Sequence, residues 1–335
     1  MGVFSQNLEP KTQNPYGGRM KKLEPLSLDG IKTYSLSERH SKVSCQDFGS
    51  PWRRGGSFQE FVDRLPRILA GAAVREVAAA WIQARKQGRP VLLGMGAHPI
   101  KVGLSPVLID LLERGLITGV AMNGAGIIHD AEVAMVGRTS EDVDEVLGCG
   151  CFGMAKETAE FLNRAIAWGA KLGLGLGQAV GRQLLESAFP HRNLSLVAAA
   201  EALDVPLTVH VAVGTDIIHL HPSVAPEALG AATHLDFRRF AALVSELDHG
   251  VFINLGSAVI IPEVFLKALT LARNLGHPVA PLTTVNLDFM QHYRPLTNVV
   301  RRPTADAGQG YALTGHHELL FPLLAALVVE GMEAT

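Results

Sequence analysis

The feature that most constrains this chain is a recurring unit, a short apolar run that closes on small or polar residues and is followed by a helical stretch. The unit appears at 89–96, 117–122, 205–213, 251–255 and 279–285. The runs lead into Gly94-Met95-Gly96, Asn123-Gly124-Ala125-Gly126, Gly214-Thr215-Asp216, Gly256-Ser257 and, around Thr283-Thr284, Asn286-Leu287-Asp288. Runs this short that are apolar on both faces are strands buried on both faces, and crossover helices bury parallel strands in that way. Helical spacing predicts those helices, one opening on the capping-box sequence Ser57-Phe58-Gln59-Glu60 and others at 74–87, 104–114, 155–172, 177–186, 196–203, 235–247, 262–275 and 318–331. The expected class is therefore α/β, a mostly parallel, doubly wound, Rossmann-like sheet with helices on both faces.

The unit starts only after residue 56. Residues 1–56 read as an irregular N-terminal arm bearing Arg19-Met20-Lys21-Lys22 and Ser50-Pro51-Trp52-Arg53-Arg54, and 57–335 as a single α/β domain. With 335 residues, 47% of them hydrophobic, the chain can bury a core of that size. A formal charge of -2 gives no reason to expect nucleic acid or an anionic membrane as partner. The polar first 22 residues lack the apolar stretch of a signal peptide, and Gly, His or Pro interrupts every apolar run before it reaches membrane-spanning length. Three cysteines make no disulfide framework, Cys149 and Cys151 being too close in sequence for an ordinary bridge. A reduced, cytoplasmic setting is expected.

In an open parallel sheet, ligands bind outside the carboxyl ends of the strands. Small residues there leave room for a flat, extended ligand, and Asp216 offers a carboxylate for a ribose hydroxyl or a cationic nitrogen. His129 and Asp130 follow the Gly124-Ala125-Gly126 turn, where an acid can also cap a helix. Asp216-x-x-His219-x-His221, with His317 of His316-His317-Glu318, would suit a metal-dependent hydrolase. No third ligand stands at a diagnostic interval, and polar pocket lining is the preferred reading. Gly173-x-Gly175-x-Gly177 follows a helix rather than a strand and reads as a helix end and linker. Residues 291–303 read as a long loop whose Arg294, Arg301 and Arg302 can grip a carboxylate or phosphate, or tie subunits together.

From about Val91 to Glu330 the chain resembles deoxyhypusine synthase. The resemblance rests on Asn123-Gly124-Ala125-Gly126-Ile127-Ile128-His129-Asp130, Val213-Gly214-Thr215-Asp216, Phe252-Ile253-Asn254-Leu255-Gly256-Ser257-Ala258-Val259, Arg294-Pro295 and Phe321-Pro322-Leu323-Leu324, in family order. Members of that family are NAD-dependent homotetramers. They cleave spermidine, carry its aminobutyl group on a lysine and pass it to a lysine of a translation factor. The resemblance implies NAD as cofactor, with contacts at Gly124, Ala125, Gly126, Asp216, Gly256, Ser257, Thr283, Thr284, His316 and His317. It also implies a homo-oligomer, a tetramer.

The family's catalytic positions are not matched. Its Trp-Gly-Lys falls on Arg301-Arg302-Pro303, so the imine-forming lysine is Pro303, which has no amine. Its histidine pair falls on Ile261 and Pro262, and the acids that grip the polyamine are shortened to Phe289-Met290-Gln291-His292-Tyr293 and replaced by Thr297. The chain is therefore expected to bind NAD or a related nucleotide without making deoxyhypusine. If it is an NAD-linked transferase or another NAD-dependent enzyme, Asp216, His129 and His316 are its acid–base candidates, and Asp130, Arg294 and Arg301 would meet an unidentified small substrate. A non-catalytic, oligomeric nucleotide-binding protein is the alternative. Lys267, mid-helix, is the one lysine considered as a substitute nucleophile.

Overall fold

A computed structural model describes residues 23–333 of the chain. The Arg19-Met20-Lys21-Lys22 cluster and the stretch on which the signal-peptide expectation rests lie outside the described residues. The chain divides into two units, one ending at Ser44 and the other beginning at Cys45. The described part of the first is irregular except for a 3-10 turn, Leu36–Glu38, opened by Ser35, whose hydroxyl accepts from the Ser37 amide.

The second unit carries the sheet. In chain order its elements are α1 (Phe58–Arg64), α2 (Ala70–Lys86), β1 (Val91–Met95), α3 (His98–Lys101), α4 (Ser105–Glu113), β2 (Gly119–Asn123), α5 (Gly124–Val136), α6 (Val143–Val146), α7 (Lys156–Lys171), α8 (Leu176–Glu186) and α9 (Leu196–Ala202). There follow β3 (Leu207–His210), α10 (Pro226–Ser245), β4 (Val251–Leu255), α11 (Ile260–Asn274), β5 (Leu282–Asp288), α12 (Tyr293–Pro295), a π-helical segment Leu296–Arg301, β6 (Gly308–Thr314) and α13 (His317–Glu333). The strands lie in the order β3-β2-β1-β4-β5-β6, and every neighbouring pair is parallel. This is the doubly wound class expected from the apolar runs. The chain reverses its direction of winding between β1 and β4, and at such a point the strand ends open a crevice.

Two apolar layers explain why the strands are apolar on both faces. Val91, Leu93 and Met95 of β1 join one core with Trp81 of α2, Leu108 of α4 and Phe321 of α13. Leu92 points the other way and joins Phe240 of α10 and Phe265 of α11. Phe252 stacks on Phe265 with ring centroids 3.7 Å apart, and the Trp81 indole donates to the Leu116 carbonyl at 2.8 Å. The edge of β3 is occupied by α10. The Val209 amide donates to Asp236 at 2.9 Å and the Val211 amide to Thr233 at 3.2 Å, which satisfies donors an edge strand would otherwise offer to another chain.

Several expectations are corrected. The segment at 291–303 is not a loop, because α12 and the π-helical segment run along α11. β6 went unrecognised because Gly308-Gln309-Gly310-Tyr311-Ala312 lacks an apolar run and is mostly exposed. A helix begins at Gly124 itself, started by the Asn123 side chain, which accepts from the Gly126 amide at 3.1 Å. Cys149 and Cys151 do form a disulfide. Gly150 between them has φ +73°, a conformation glycine adopts freely, and it turns the chain so that the two side chains meet with Cα atoms 5.4 Å apart. Gly173 ends α7 and Gly175 opens α8, as the linker reading expected. Among the described residues, no helix is long and apolar enough to cross a membrane.

Candidate functional site

The floor of the crevice is made by two glycines. After β1 the Gly96 amide donates to the Leu255 carbonyl at 3.1 Å, and after β4 the Gly256 amide donates to the Leu287 carbonyl at 3.1 Å. A Cβ on Gly96 would overlap the Gly256 carbonyl oxygen. A Cβ on Gly256, whose φ is +68°, would strike the His317 ring. Both positions need glycine because the β1 and β4 loops and the start of α13 touch there.

Above that floor, His317 is fully buried. Its Nε2 lies 3.2 Å from the Leu287 carbonyl oxygen, an acceptor, so Nε2 carries the proton and Nδ1 is left a buried lone pair without a partner among the described residues. Burial lowers the pKa of His317, although Asp288 at 3.7 Å opposes the shift. His98, at the start of α3, lies 5.1 Å from His317 ring to ring, and Phe289 lies against both His98 and His316. A hydrogen-bonded row fixes the strand ends below. Asn254 donates to Asn286 at 2.7 Å, Asn286 to Gln291 at 2.7 Å, and Gln291 to the Leu313 carbonyl at 3.1 Å.

On the other side of the reversal, Asp216 sits against the first turn of α5. Its carboxylate fills the space that a Cβ on Gly124 would need. One of its oxygens, Oδ2, is buried with no hydrogen-bond partner among the described residues, and burial pushes the carboxyl up to about 6. The Gly214 amide donates to Nδ1 of His219 at 3.1 Å, which places the His219 proton on Nε2, 3.9 Å from Asp216. His221 instead faces Ser223, at 2.7 Å. Among the described residues no three His, Cys, Asp or Glu side chains gather as a metal ion would require.

A cleft of about 500 Å³ opens beside α5, lined by Lys101, Ala125, His129, Glu132, Arg138, Thr139, Glu141 and Asp216 among others. His129 Nδ1 is 2.6 Å from the Thr139 hydroxyl, and that hydroxyl donates to Glu132. A hydroxyl has one proton, so His129 is the donor to Thr139 and its Nε2 is a lone pair. Thr158 donates to the other Glu132 oxygen at 3.2 Å. Burial, with Lys101 adding to it, lowers His129 to about 4.

The sequence candidates thus sort by place. Gly124, Ala125, Gly126, His129, Asp216, Gly256, Ser257, His316 and His317 lie at the carboxyl ends of the strands. Asp130 belongs elsewhere. It is completely buried and accepts from the Ser195 hydroxyl, the Leu196 amide at 2.8 Å and the Val197 amide at 3.4 Å, so it caps α9 and does not line the cleft. Thr283 and Thr284 also lie apart from these strand ends. β5 extends to Asp288, which leaves both near its amino end, Thr283 in a separate cavity with Pro281 and Gly308. Arg294 is held by Glu263 at 3.5 Å in the first turn of α11. Arg301 is exposed beyond it, where the neighbouring Val300 carbonyl packs on Gly310 near the amino end of β6. Pro303 is buried, and its carbonyl accepts from Arg273 at 3.1 Å in the last turn of α11. Lys267 is paired with Glu263 on the exposed face of α11. Sequence reasoning missed Lys101, Glu132, Thr139 and the Asn254-Asn286-Gln291 row. Of these only the asparagines carried a signal, as polar residues inside apolar strands.

This strand order and crevice define an open, doubly wound α/β protein of the Rossmann-like class. No protein-family model and no curated protein matches the chain. Among solved structures, AgrE in ternary complex with ornithine and NAD+ is 14% identical with a TM-score of 0.53, over 79% of this chain and 34% of its own. A conserved putative LOR/SDH protein from Methanococcus maripaludis S2 is 13% identical with a TM-score of 0.53, over 87% of this chain and 75% of its own. A putative deoxyhypusine synthase from Entamoeba histolytica is 13% identical with a TM-score of 0.47, over 84% of this chain and 96% of its own. The chain spans about a third of the length of AgrE. At such identities the likeness shows the fold alone.

Proposed function

We propose that this protein binds NAD or a related dinucleotide across the carboxyl ends of β2, β1 and β4, and that it does not make deoxyhypusine. The observation that carries the reading is the pair of close contacts that only glycine permits, Gly96 on the Gly256 carbonyl and Gly124 on the Asp216 carboxylate, on either side of β1. Neither strand end carries a side chain of its own at these positions, which suits a flat ligand. Buried acceptors unpartnered among the described residues, Asp216 Oδ2 and His317 Nδ1, stand over the two sides of the crevice. A buried acceptor without a donor costs about 1–3 kcal/mol, and a ligand hydroxyl or amide recovers part of that. The residues fit the group: Asp216 for a ribose hydroxyl, the start of α5 for a phosphate, and His98, His317 and Phe289 for a planar ring. The dinucleotide bound to AgrE, a protein of similar fold, supports the same reading. When bound, a nicotinamide supplies a hydride acceptor.

Deoxyhypusine chemistry needs an amine where the family has one, and Pro303 has none. Its carbonyl is engaged by Arg273 at the opposite end of α11 from the crevice. The homotetramer implied by the resemblance and the cytoplasmic setting expected from the cysteines belong to the same proposal, and light scattering of the purified chain reports the first. The test of binding is calorimetric titration of the full chain with NAD+, paired with thermal unfolding. Saturable heat and a rise in Tm are expected, because a ligand that binds only the folded state stabilises it. No heat and no shift up to millimolar NAD+ would remove the proposal.

A further inference from the structure

We propose that the cleft beside α5 holds a small carboxylate- or phosphate-bearing substrate between Lys101 and Arg138, and that Nε2 of His129 takes a proton from it. The assignment goes beyond dinucleotide binding, and the cleft adjoins the proposed dinucleotide site, sharing Ala125 and Asp216 with it.

Two of the acids lining the cleft already have hydrogen-bond donors. Glu132 accepts from Thr139 and Thr158, and Glu141 accepts from the Gly153 amide at 2.9 Å. Asp216, on the opposite wall, is pushed up to about 6 by burial and lies 3.9 Å from His219. The cations differ. Lys101 at the end of α3 and Arg138 just past α5 both line the cleft, are exposed, and make no hydrogen bond or ion pair among the described residues. Two unengaged cations at one mouth are suited to an anion, and a guanidinium takes a carboxylate or phosphate bidentately.

His129 lies in the same wall with its tautomer set from behind. Thr139 accepts the Nδ1 proton and passes its own to Glu132, so the lone pair of Nε2 remains available. In the step, an O–H or N–H bond of the substrate breaks, its electron pair stays on the substrate, and an Nε2–H bond forms. The positive charge so created on imidazolium is stabilised through Thr139 by the Glu132 carboxylate. Burial keeps His129 neutral at pH 7, the form that can accept. Thr139 is then a positioning residue, since it acts through His129, whose tautomer it sets.

The experiment uses the full chain with 15N-labelled histidine, titrated with malonate and separately with inorganic phosphate and followed by NMR. The expected result is a saturable shift of the His129 ring signals. Lys101→Ala and Arg138→Ala each weaken binding by about tenfold. Both residues are exposed, so native spectra are expected of both variants. Thr139→Val keeps malonate affinity within about threefold while its His129 nitrogen shifts move toward the Nε2–H tautomer, and Thr139→Ser restores the original pattern. A His129 signal unmoved by either probe overturns the site. So does wild-type affinity in either cation variant, or an unchanged tautomer in Thr139→Val. A phosphate on the nucleotide itself is the other source of an anion here. NADP+ binding more tightly than NAD+, with the difference erased by Arg138→Ala, would assign the cations to the nucleotide and overturn the assignment to a free substrate.

Discussion

Replacing Asp130 separates a structural acid from a ligand-binding one. The carboxylate is wholly buried and satisfies the Leu196 amide at 2.8 Å, the Ser195 hydroxyl and, more weakly, the Val197 amide at 3.4 Å. In Asp130→Ala the serine hydroxyl can turn away, but the Leu196 amide stays buried without an acceptor. An orphaned buried donor costs about 1–3 kcal/mol, and the emptied volume adds about 1 kcal/mol. The expected loss is about 2–4 kcal/mol at pH 6, a fall in Tm of roughly 4–12 °C for a domain of this size. Asp130→Asn keeps an oxygen for Leu196 and is expected to lose about 1 kcal/mol. The pH dependence gives a second readout. Burial outweighs the hydrogen bonds and raises Asp130 to about 6, above the value near 3.9 of an unfolded aspartate. The native state therefore holds a proton that the unfolded chain releases, and this contribution to stability is lost as pH rises from about 4 through about 6. Buried His129 and His210 slope the other way, so the difference between wild type and Asp130→Asn is the quantity to measure, by urea unfolding across that range. Asp130→Ala unfolding with unchanged stability, yet losing affinity for NAD+ or malonate, would refute the capping role.

Gly256→Ala forces a side chain into φ +68° and its Cβ into His317, so a stability loss of about 1–3 kcal/mol by urea unfolding and weaker NAD+ binding by calorimetry are expected. Pro303→Lys places an amine at the far end of α11, so borohydride is expected to trap no spermidine adduct, by mass spectrometry, on either this variant or wild type. Asp236→Ala removes the acceptor that the Gly177 and Val209 amides share, and about 2–4 kcal/mol lost in urea unfolding, with faster hydrogen exchange at Val209, is expected.

The sequence showed the sheet because burial on both faces leaves a mark that needs no partner to read: Val91, Leu92 and Leu93 are all apolar although they point alternately into two different cores. It hid β6 because that strand sits at the sheet's edge, where exposure removes the pattern. It hid the true end of β5 because Asn286 and Asp288 are polar strand residues that serve the crest. The glycine turns and Asp216 were visible as candidates since close approach restricts residue type. Asp130 misled because an acid one turn into a helix looks the same whether it serves a ligand or a distant helix start. Nothing local distinguishes them, and only the fold brings Ser195 to it, 65 positions away. The Thr139–Glu132 pair behind His129 was hidden although it is close in sequence, because only the turn after α5 folds Thr139 back between them.

The central claim is that the glycine-paired strand ends form a dinucleotide floor, and a crystal structure of the full chain grown with saturating NAD+ tests it most directly. The account predicts NAD+ across Gly96 and Gly256 with a ribose hydroxyl hydrogen-bonded to Asp216. Well-ordered NAD+ at any other surface, with that floor bare, would contradict it.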